Sequence, residues 1–511
     1  MTDTFTIALE PLPGRPVIAP IGTGARVLLV STYELGHQPL GLAWPAAALR
    51  AAGHDVRTLD VAVEPLEAGA FRGVDLVAIS IPMHTAARLG MEVARAARKI
   101  NPAARIAFYG LYASPLYAHL TAEGLGDVVI GGEYEDGLVA LAGRIAAGDT
   151  SVDVAGAGAT PSLARRRHPV PDRRGLPALD RYASVRRRDG EHPAGYVEAT
   201  RGCAHRCTHC PITPVYGGAL RLVPAETVLA DAAQQIEAGA RHITFGDPDF
   251  LNAVPHSMAI VEEFHRRWPE ITYDVTVKVE HFLEHPEVFP RLRETGCLWV
   301  TSAFESCNDR TLGLLEKGHT RADMEAALRI ADGAGLPVRP TWVAFTPWTT
   351  LDDLVDMVEF VAEHGLQRHV QPVQYTLRLL LPPGSPLNGV LEAQGLLGPF
   401  DAEHLTYTWA NPDPRVDTLQ AELAALVEAA AIPATGEECD EDGVCAVPGS
   451  IEDIVETFEK VRTAVYAAAE RTRPPRGLVP LRFVPSLTEA WYCCAEPTEQ
   501  QLRLTEVATG I

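Results

Sequence analysis

The sequence has no run of about eighteen apolar residues, the length a membrane-spanning helix needs, so no membrane partner is expected. Its first residues, MTDTFTIALEPLPGRP, lack the basic start and apolar stretch of a secretory signal, and a cytoplasmic protein is expected. Lysine is scarce: Lys99, Lys278, Lys317 and Lys460 are the only four in 511 residues. Acids exceed bases by 66 to 44, a net charge of −22. Such a surface repels phosphate backbones and argues against a nucleic-acid partner. No solenoid-spaced repeat and no low-complexity tract is present. The length exceeds a single ordinary core and implies several domains.

The fold class read from the pattern is α/β. Residues 1–23 form an N-terminal extension. Across 24–148, short apolar runs alternate with helical stretches. Strands are expected at Arg26–Ser31, Asp55–Asp60, Asp75–Ser80, Arg105–Tyr109 and Asp127–Ile130, with helices such as Ala43–Ala52 and Ala86–Ile100 between them. This alternation predicts a doubly wound parallel sheet with any ligand at the carboxyl ends of its strands. Residues 149–190, rich in Pro and Arg, read as a linker. A second alternation over 191–390 predicts strands at Gly195–Ala199, His242–Phe245, Tyr273–Val277, Leu298–Ser302, Val338–Ala344 and Gln371–Thr376, which suits a partial (β/α) barrel. Residues 391–511 read as a mostly helical C-terminal extension.

The nine cysteines are clustered rather than spread. Cys203, Cys207 and Cys210 follow the first strand of the second run in the spacing C-x3-C-x2-C. Three thiolates in one short loop can hold three irons of a four-iron cluster and leave the fourth iron open. A zinc knuckle, with His205 or His209 as fourth ligand, is the alternative. Cys297 and Cys307 flank a predicted strand and read as small core side chains. Cys439 and Cys445, in CDEDGVC, read as part of a solvated loop, with an auxiliary metal or redox pair as the alternative.

The cysteine motif and its barrel-like setting resemble the radical S-adenosylmethionine (SAM) superfamily. The resemblance implies a [4Fe–4S] cluster on Cys203, Cys207 and Cys210, with SAM on the open iron. It places His209 near the adenine of SAM and Glu305, in AFES, at a SAM-contacting position. Asp247, in GDPDF, stands where the superfamily often holds the methionine amino group. The preceding domain resembles the cobalamin-binding class of these enzymes, with Ser80, Gly131 and Gly132 at its nucleotide-loop positions. That class often has Asp-x-His-x-x-Gly after the first strand. Here the loop is STYELGHQPLGL, so cobalamin is expected without a protein histidine on cobalt, or the domain is a relic without cofactor. His37 reads as a surface loop histidine.

Near the chain's end, Cys493 and Cys494 lie in WYCCAEP. Adjacent cysteines form a strained disulfide at best, and as a dithiol they can chelate a thiophilic atom or give a hydrogen atom to a radical. The segment resembles the CUAEP/CCAEP-tail radical SAM proteins, some of which carry selenocysteine here, aligned with Cys493. RLLLPPGSPL (Arg378–Leu387) resembles the same family. The expected function is reductive SAM cleavage to modify a small, thiophilic substrate, with Cys493 and Cys494 taking part and a flavodoxin or ferredoxin as electron donor. A cobalamin-dependent radical SAM methyltransferase and a non-catalytic metal- or redox-sensing binding protein are the alternatives.

Overall fold

The computed structural model describes residues 24–122, 124–149, 151, 153–431, 451–475 and 483–489. Cys439, Cys445, Cys493 and Cys494 lie outside them. In the first α/β unit, β1 (Arg26–Ser31), β2 (Asp55–Asp60), β3 (Leu76–Ser80), β4 (Arg105–Tyr109) and β5 (Val128–Ile130) form a parallel sheet in the order β2-β1-β3-β4-β5. Every residue of β3 is buried, as expected of a strand covered on both faces. Side chains alternating along β1 and β3 divide between two cores. Leu28, Val30, Val77 and Ile79 meet the helix His84–Ile100, and Val27, Leu29, Leu76 and Ala78 meet the helices Leu40–Ala51 and Glu135–Ala146. The strand order reverses between β1 and β3, so their carboxyl ends open a crevice at the switch point.

The second unit is a curled half-barrel. It begins at β6 (Ser184–Arg187) and β7 (Gly190–Val197), which pair antiparallel. A small ladder of β8 (Thr200–Gly202) and β9 (Leu220–Leu222) brackets the cysteine loop. Then β10 (His242–Phe245), β11 (Thr272–Thr276), β12 (Cys297–Glu305) and β13 (Val338–Trp342) continue in parallel from β7. A short pair, β14 (Phe400–Asp401) and β15 (Thr406–Tyr407), stands apart. Finally β16 (Ser486–Leu487) pairs antiparallel with β6, giving the order β13-β12-β11-β10-β7-β6-β16. The C-terminal helices Pro414–Ala431 and Ile451–Ala468 pack on one another, and Arg462 grips Glu359 of the helix Leu351–Glu363 at 2.7 and 2.9 Å.

Two stretches differ from expectation. Gln371–Thr376, read as a sixth barrel strand, is a 3-10 turn at Pro372–Tyr375, because Pro372 has no N–H to offer a ladder. Within the expected linker, 184–187 is a strand held between β7 and β16: Val185 is fully buried while its arginine neighbours stay partly exposed. The two units also share apolar surface, since Leu40, Ala43 and Trp44 of the first join the barrel's core.

Candidate active site

Gly202 ends β8 at φ +75°, where a side chain is strained, and a Cβ there would strike the Ala219 carbonyl oxygen and the Tyr216 ring. The chain then turns into Cys203, Cys207 and Cys210, which line one cavity of about 320 Å³. Asn252 accepts from the Ala204 N–H at 3.2 Å and sets its amide nitrogen 3.5 Å from Cys203 Sγ. Thr208 donates through its backbone to Leu315 O at 3.0 Å and through its hydroxyl to Leu314 O at 2.8 Å. Thr213 donates to Cys207 O at 2.8 Å. Burial pushes the Cys203 thiol up to about 11 and raises Cys207, which Lys317 partly offsets. These thiols therefore need a bound cation to become thiolates near neutral pH. Cys297 and Cys307 are buried away from the cavity, as expected.

Beside the thiols, Glu305 ends β12 at φ +65°, a strained setting for a residue with a side chain. Its Oε1 lies 3.2 Å from His209 Nε2 and accepts from Lys317 Nζ at 3.2 Å. Burial pushes this carboxyl up, but Lys317 and His209 outweigh it and hold Glu305 down to about 2. His209 Nδ1 is buried without a hydrogen-bond partner among the described residues. Thus His209 and Glu305, far apart in sequence, meet beside the cysteines. Asp247 is different. Its Oδ1 accepts from Thr200 Oγ1 at 2.6 Å and its Oδ2 from the Ala199 N–H at 3.0 Å. Burial raises it to about 6. Both oxygens brace the strand ends while Asp247 also lines the cavity.

The loops of the first sheet close the same cavity. Glu34, Leu35, Pro82, Met83, Leu111 and Tyr112 line it from that side. His37 is buried, not a surface histidine: it stacks on Tyr196 with ring centres 4.7 Å apart, and burial lowers it to about 4. The expected nucleotide-loop positions are filled. The linker crosses Gly131 and Gly132, with Gly131 N–H donating to Gly156 O at 3.1 Å and Ser162 N–H to Gly131 O at 3.0 Å. A Cβ on Gly131 would collide with Ser114, and one on Gly132 with the Ser162 carbonyl. Ser80 is buried against Gly41, and the Tyr109 hydroxyl donates to Gly41 O at 2.8 Å while its ring packs 4.8 Å from Tyr134. The protein's own linker crosses these glycines.

Sequence reasoning missed Arg201, two residues before Cys203. It donates to Glu133 Oε2 at 3.2 Å and Glu135 Oε1 at 2.6 Å, and its guanidinium lies 3.9 Å from the Trp44 ring centre. Arg166 also binds Glu135, and Tyr216 donates to Glu133 at 3.0 Å. The acid pair following Gly132 therefore fastens the cysteine loop to the first domain. The signal available was Arg-Gly-Cys at one end and Gly-Glu-Tyr-Glu at the other, with nothing to link them.

Residues 197–361 match the model of the radical SAM superfamily, and residues 26–142 match the model of the B12 binding domain. The chain carries a radical SAM domain and a B12-binding domain. The hopanoid C-3 methylase of Methylococcus capsulatus is 26% identical over 336 residues, 63% of this chain and 64% of that protein. The bacteriochlorophyllide d C-8(2)-methyltransferase of Chlorobaculum tepidum is 26% identical over 184 residues, 33% of this chain and 39% of that protein. The chain thus spans less than two-thirds of the length of these relatives. Among solved structures, the cobalamin-dependent S-adenosylmethionine radical enzyme OxsB superposes with TM-score 0.67 at 16% identity, over 87% of this chain and 72% of that one. The radical SAM methyltransferase TsrM from Kitasatospora setae, with cobalamin and a [4Fe–4S] cluster bound, gives 0.63 at 17%, over 87% and 100%. At these identities the likeness is one of fold.

The residues fit a three-cysteine [4Fe–4S] cluster and SAM: three thiols on a braced loop, with an ionised Glu305 and Lys317 beside them. For cobalamin the fit is divided. The apolar rim of Leu35, Pro82, Met83, Leu111 and Tyr112 suits a corrin face. The positions expected to take its nucleotide tail are occupied by Tyr109, Tyr134 and the linker. No helix among the described residues is long and apolar enough to cross a membrane.

Proposed function

We propose that this enzyme methylates a small molecule by radical chemistry in the cavity between the B12-binding domain and the barrel, with Cys493 and Cys494 acting on the substrate there. One observation carries the reading: the cluster cysteines, the ends of the barrel strands and the loops of the B12-binding domain border a single cavity. This favours methyl transfer over the unspecified modification expected first, and the methyltransferases named above support it. When bound, the cluster supplies the electron that cleaves SAM and cobalamin supplies a transferable methyl group. Cys203, Cys207 and Cys210 hold three irons and leave one for the amino and carboxylate groups of SAM. His209 sits beside Glu305 at the adenine side, and Lys317 keeps Glu305 charged. The apolar rim excludes water that would quench a radical.

Glu489 is the last described residue before the cysteine pair. It lines the cavity, and Tyr33 donates to its Oε1 at 3.1 Å. Cys493 follows four residues later, a reach of about 14 Å at full extension. The dithiol therefore has the reach to meet a thiophilic atom or a radical in the cavity. The acidic charge supports a small molecule over a nucleic acid, and the one-electron reduction that SAM cleavage needs calls for a donor such as a flavodoxin or ferredoxin. The test is anaerobic reconstitution followed by mass spectrometry of SAM products, with and without cobalamin. Methyl transfer yields S-adenosylhomocysteine together with 5′-deoxyadenosine. Deoxyadenosine alone with a modified substrate returns the reading to a different radical modification. No cleavage at all, in wild type as in a Cys203→Ala/Cys207→Ala/Cys210→Ala variant, indicates a sensor.

A further inference from the structure

Three residues outside the cluster ligands converge on a point beside it. His205 lies between Cys203 and Cys207, Asp249 follows β10, and His281 belongs to the short helix Val279–Glu284 after β11. His281 Nε2 is 2.8 Å from Asp249 Oδ2, His205 Nε2 is 3.2 Å from the same oxygen, and the two Nε2 atoms are 3.4 Å apart. Asp249 is fully buried and His281 nearly so. Hydrogen bonding explains the two contacts to Asp249 but not the third, since two N–H groups aimed at one oxygen face each other with like polarity. A cation at the centre satisfies all three atoms. Three atoms at these separations lie on a circle of radius about 1.8 Å. An ion roughly 1 Å off their plane is then about 2.1 Å from each, a normal metal–nitrogen and metal–carboxylate distance.

The outer nitrogens agree. His205 Nδ1 faces Glu280 Oε2 at 3.5 Å, and His281 Nδ1 faces Glu284 Oε2 at 3.4 Å. A carboxylate near each outer nitrogen favours the proton on Nδ1 and the Nε2 lone pair for a metal, although the His281 Nδ1 contact is one of charge and not a hydrogen bond. Glu280 also receives Lys278 Nζ at 2.5 Å, and Asp249 Oδ1 accepts from the Lys278 N–H at 3.3 Å, which orients the carboxylate with Oδ2 toward the two imidazoles.

We propose that His205, Asp249 and His281 bind a divalent transition ion of the zinc class, separate from the cluster. Two imidazoles and one carboxylate select such an ion over magnesium or calcium. The ion ties the cluster loop to the ends of β10 and β11 at its midpoint, so it fastens Cys203 and Cys207 from between. The inference does not depend on which group the enzyme transfers.

The test uses the reconstituted holoenzyme equilibrated with buffered Zn²⁺, with zinc and iron counted together by mass spectrometry. Wild type should retain one zinc per chain beside its cluster iron. His205→Ala and His281→Ala should each lose the zinc and keep the iron. His285→Ala, whose ring stacks 6.0 Å from that of His281 but stands outside the group of His205, Asp249 and His281, should keep both. Equal zinc in wild type and the His205→Ala/His281→Ala double variant overturns the proposal. Should the variants not fold, X-ray absorption at the zinc edge of wild type decides. A nitrogen and oxygen shell near 2.0–2.1 Å supports the site, and a sulfur shell near 2.3 Å places the zinc on the cysteines and overturns it.

Discussion

Replacing Arg201 with Met should loosen the B12-binding domain from the cluster loop and destabilise the chain. Arg201 is 7% exposed, Glu133 3% and Glu135 1%. Burial alone would push Glu135 up, but Arg201 overcomes this and holds it below the usual carboxylate range. Removing one partner of a buried ion pair leaves an uncompensated charge, an effect of about 3–5 kcal/mol. Arg166 still serves Glu135 and Tyr216 still serves Glu133, so the lower end, about 3 kcal/mol, is expected. Met retains much of the volume over Trp44, which keeps the charge effect separate from lost packing. Urea unfolding of the protein at pH 7 measures the loss, and iron retained through gel filtration reports the cluster loop. Adding Glu133→Gln to Arg201→Met should recover part of the loss, because it removes a carboxylate that has lost its partner. A loss below about 1 kcal/mol, the worth of an exposed pair, refutes the reasoning. So does a double variant weaker than the single one by the full effect of Glu133→Gln alone.

Because Tyr109, Tyr134 and the linker fill the expected tail positions, cobinamide, which lacks the nucleotide tail, should bind within about tenfold of cobalamin by fluorescence quenching, roughly a 1.4 kcal/mol window. Cobalamin preferred by a hundredfold or more contradicts the closed slot. His37→Ala should leave the bound cobalamin spectrum unchanged, since that ring stacks on Tyr196. A Cys493→Ser/Cys494→Ser variant should keep its iron and still cleave SAM slowly, yet stop at one product per chain or fewer; full multiple turnover would remove the dithiol from the reaction. Glu34 is raised from 4.5 to about 8 by burial, so the folded chain keeps a proton that the unfolded chain releases. Its contribution to stability therefore falls as pH rises from about 4.5 to 8, and Glu34→Gln should flatten that slope in unfolding titrations at pH 5 to 8.5. An unchanged slope counts against a buried, protonated Glu34.

The strands were legible where one physical signal dominates. His242–Phe245, Arg26–Ser31 and Arg105–Tyr109 are apolar runs of strand length between turn residues, and they form as read. The C-x3-C-x2-C motif is local, so its position at the mouth of a half-barrel followed from the strand before it. His209 with Glu305 needed the family resemblance, because nothing in their separate neighbourhoods brings residues ninety-six apart together. The readings that changed all depend on another segment arriving. His37 is buried only because Tyr196 lies over it, and Gly131 and Gly132 are closed only because 156–162 folds back. Arg201 looked like one more surface arginine in an arginine-rich chain. Its two acids and Trp44 all belong to the other domain.

The barrel sheet ends on a strand drawn from near the far end of the chain. Ser486 pairs with Arg186 across three hundred residues of sequence. During synthesis β6, paired with β7 on one side, must wait with its other edge open until the 483–489 segment has emerged, with Arg186 and Arg187 as the charges that discourage a wrong partner. The cysteine loop, β7 and β10 to β13 are all made long before that. Cluster delivery can therefore meet an open mouth on a nascent chain, and Leu487 and Glu489 narrow it afterwards. The order of events is written into the topology: the iron centre first, then the strand that closes over it.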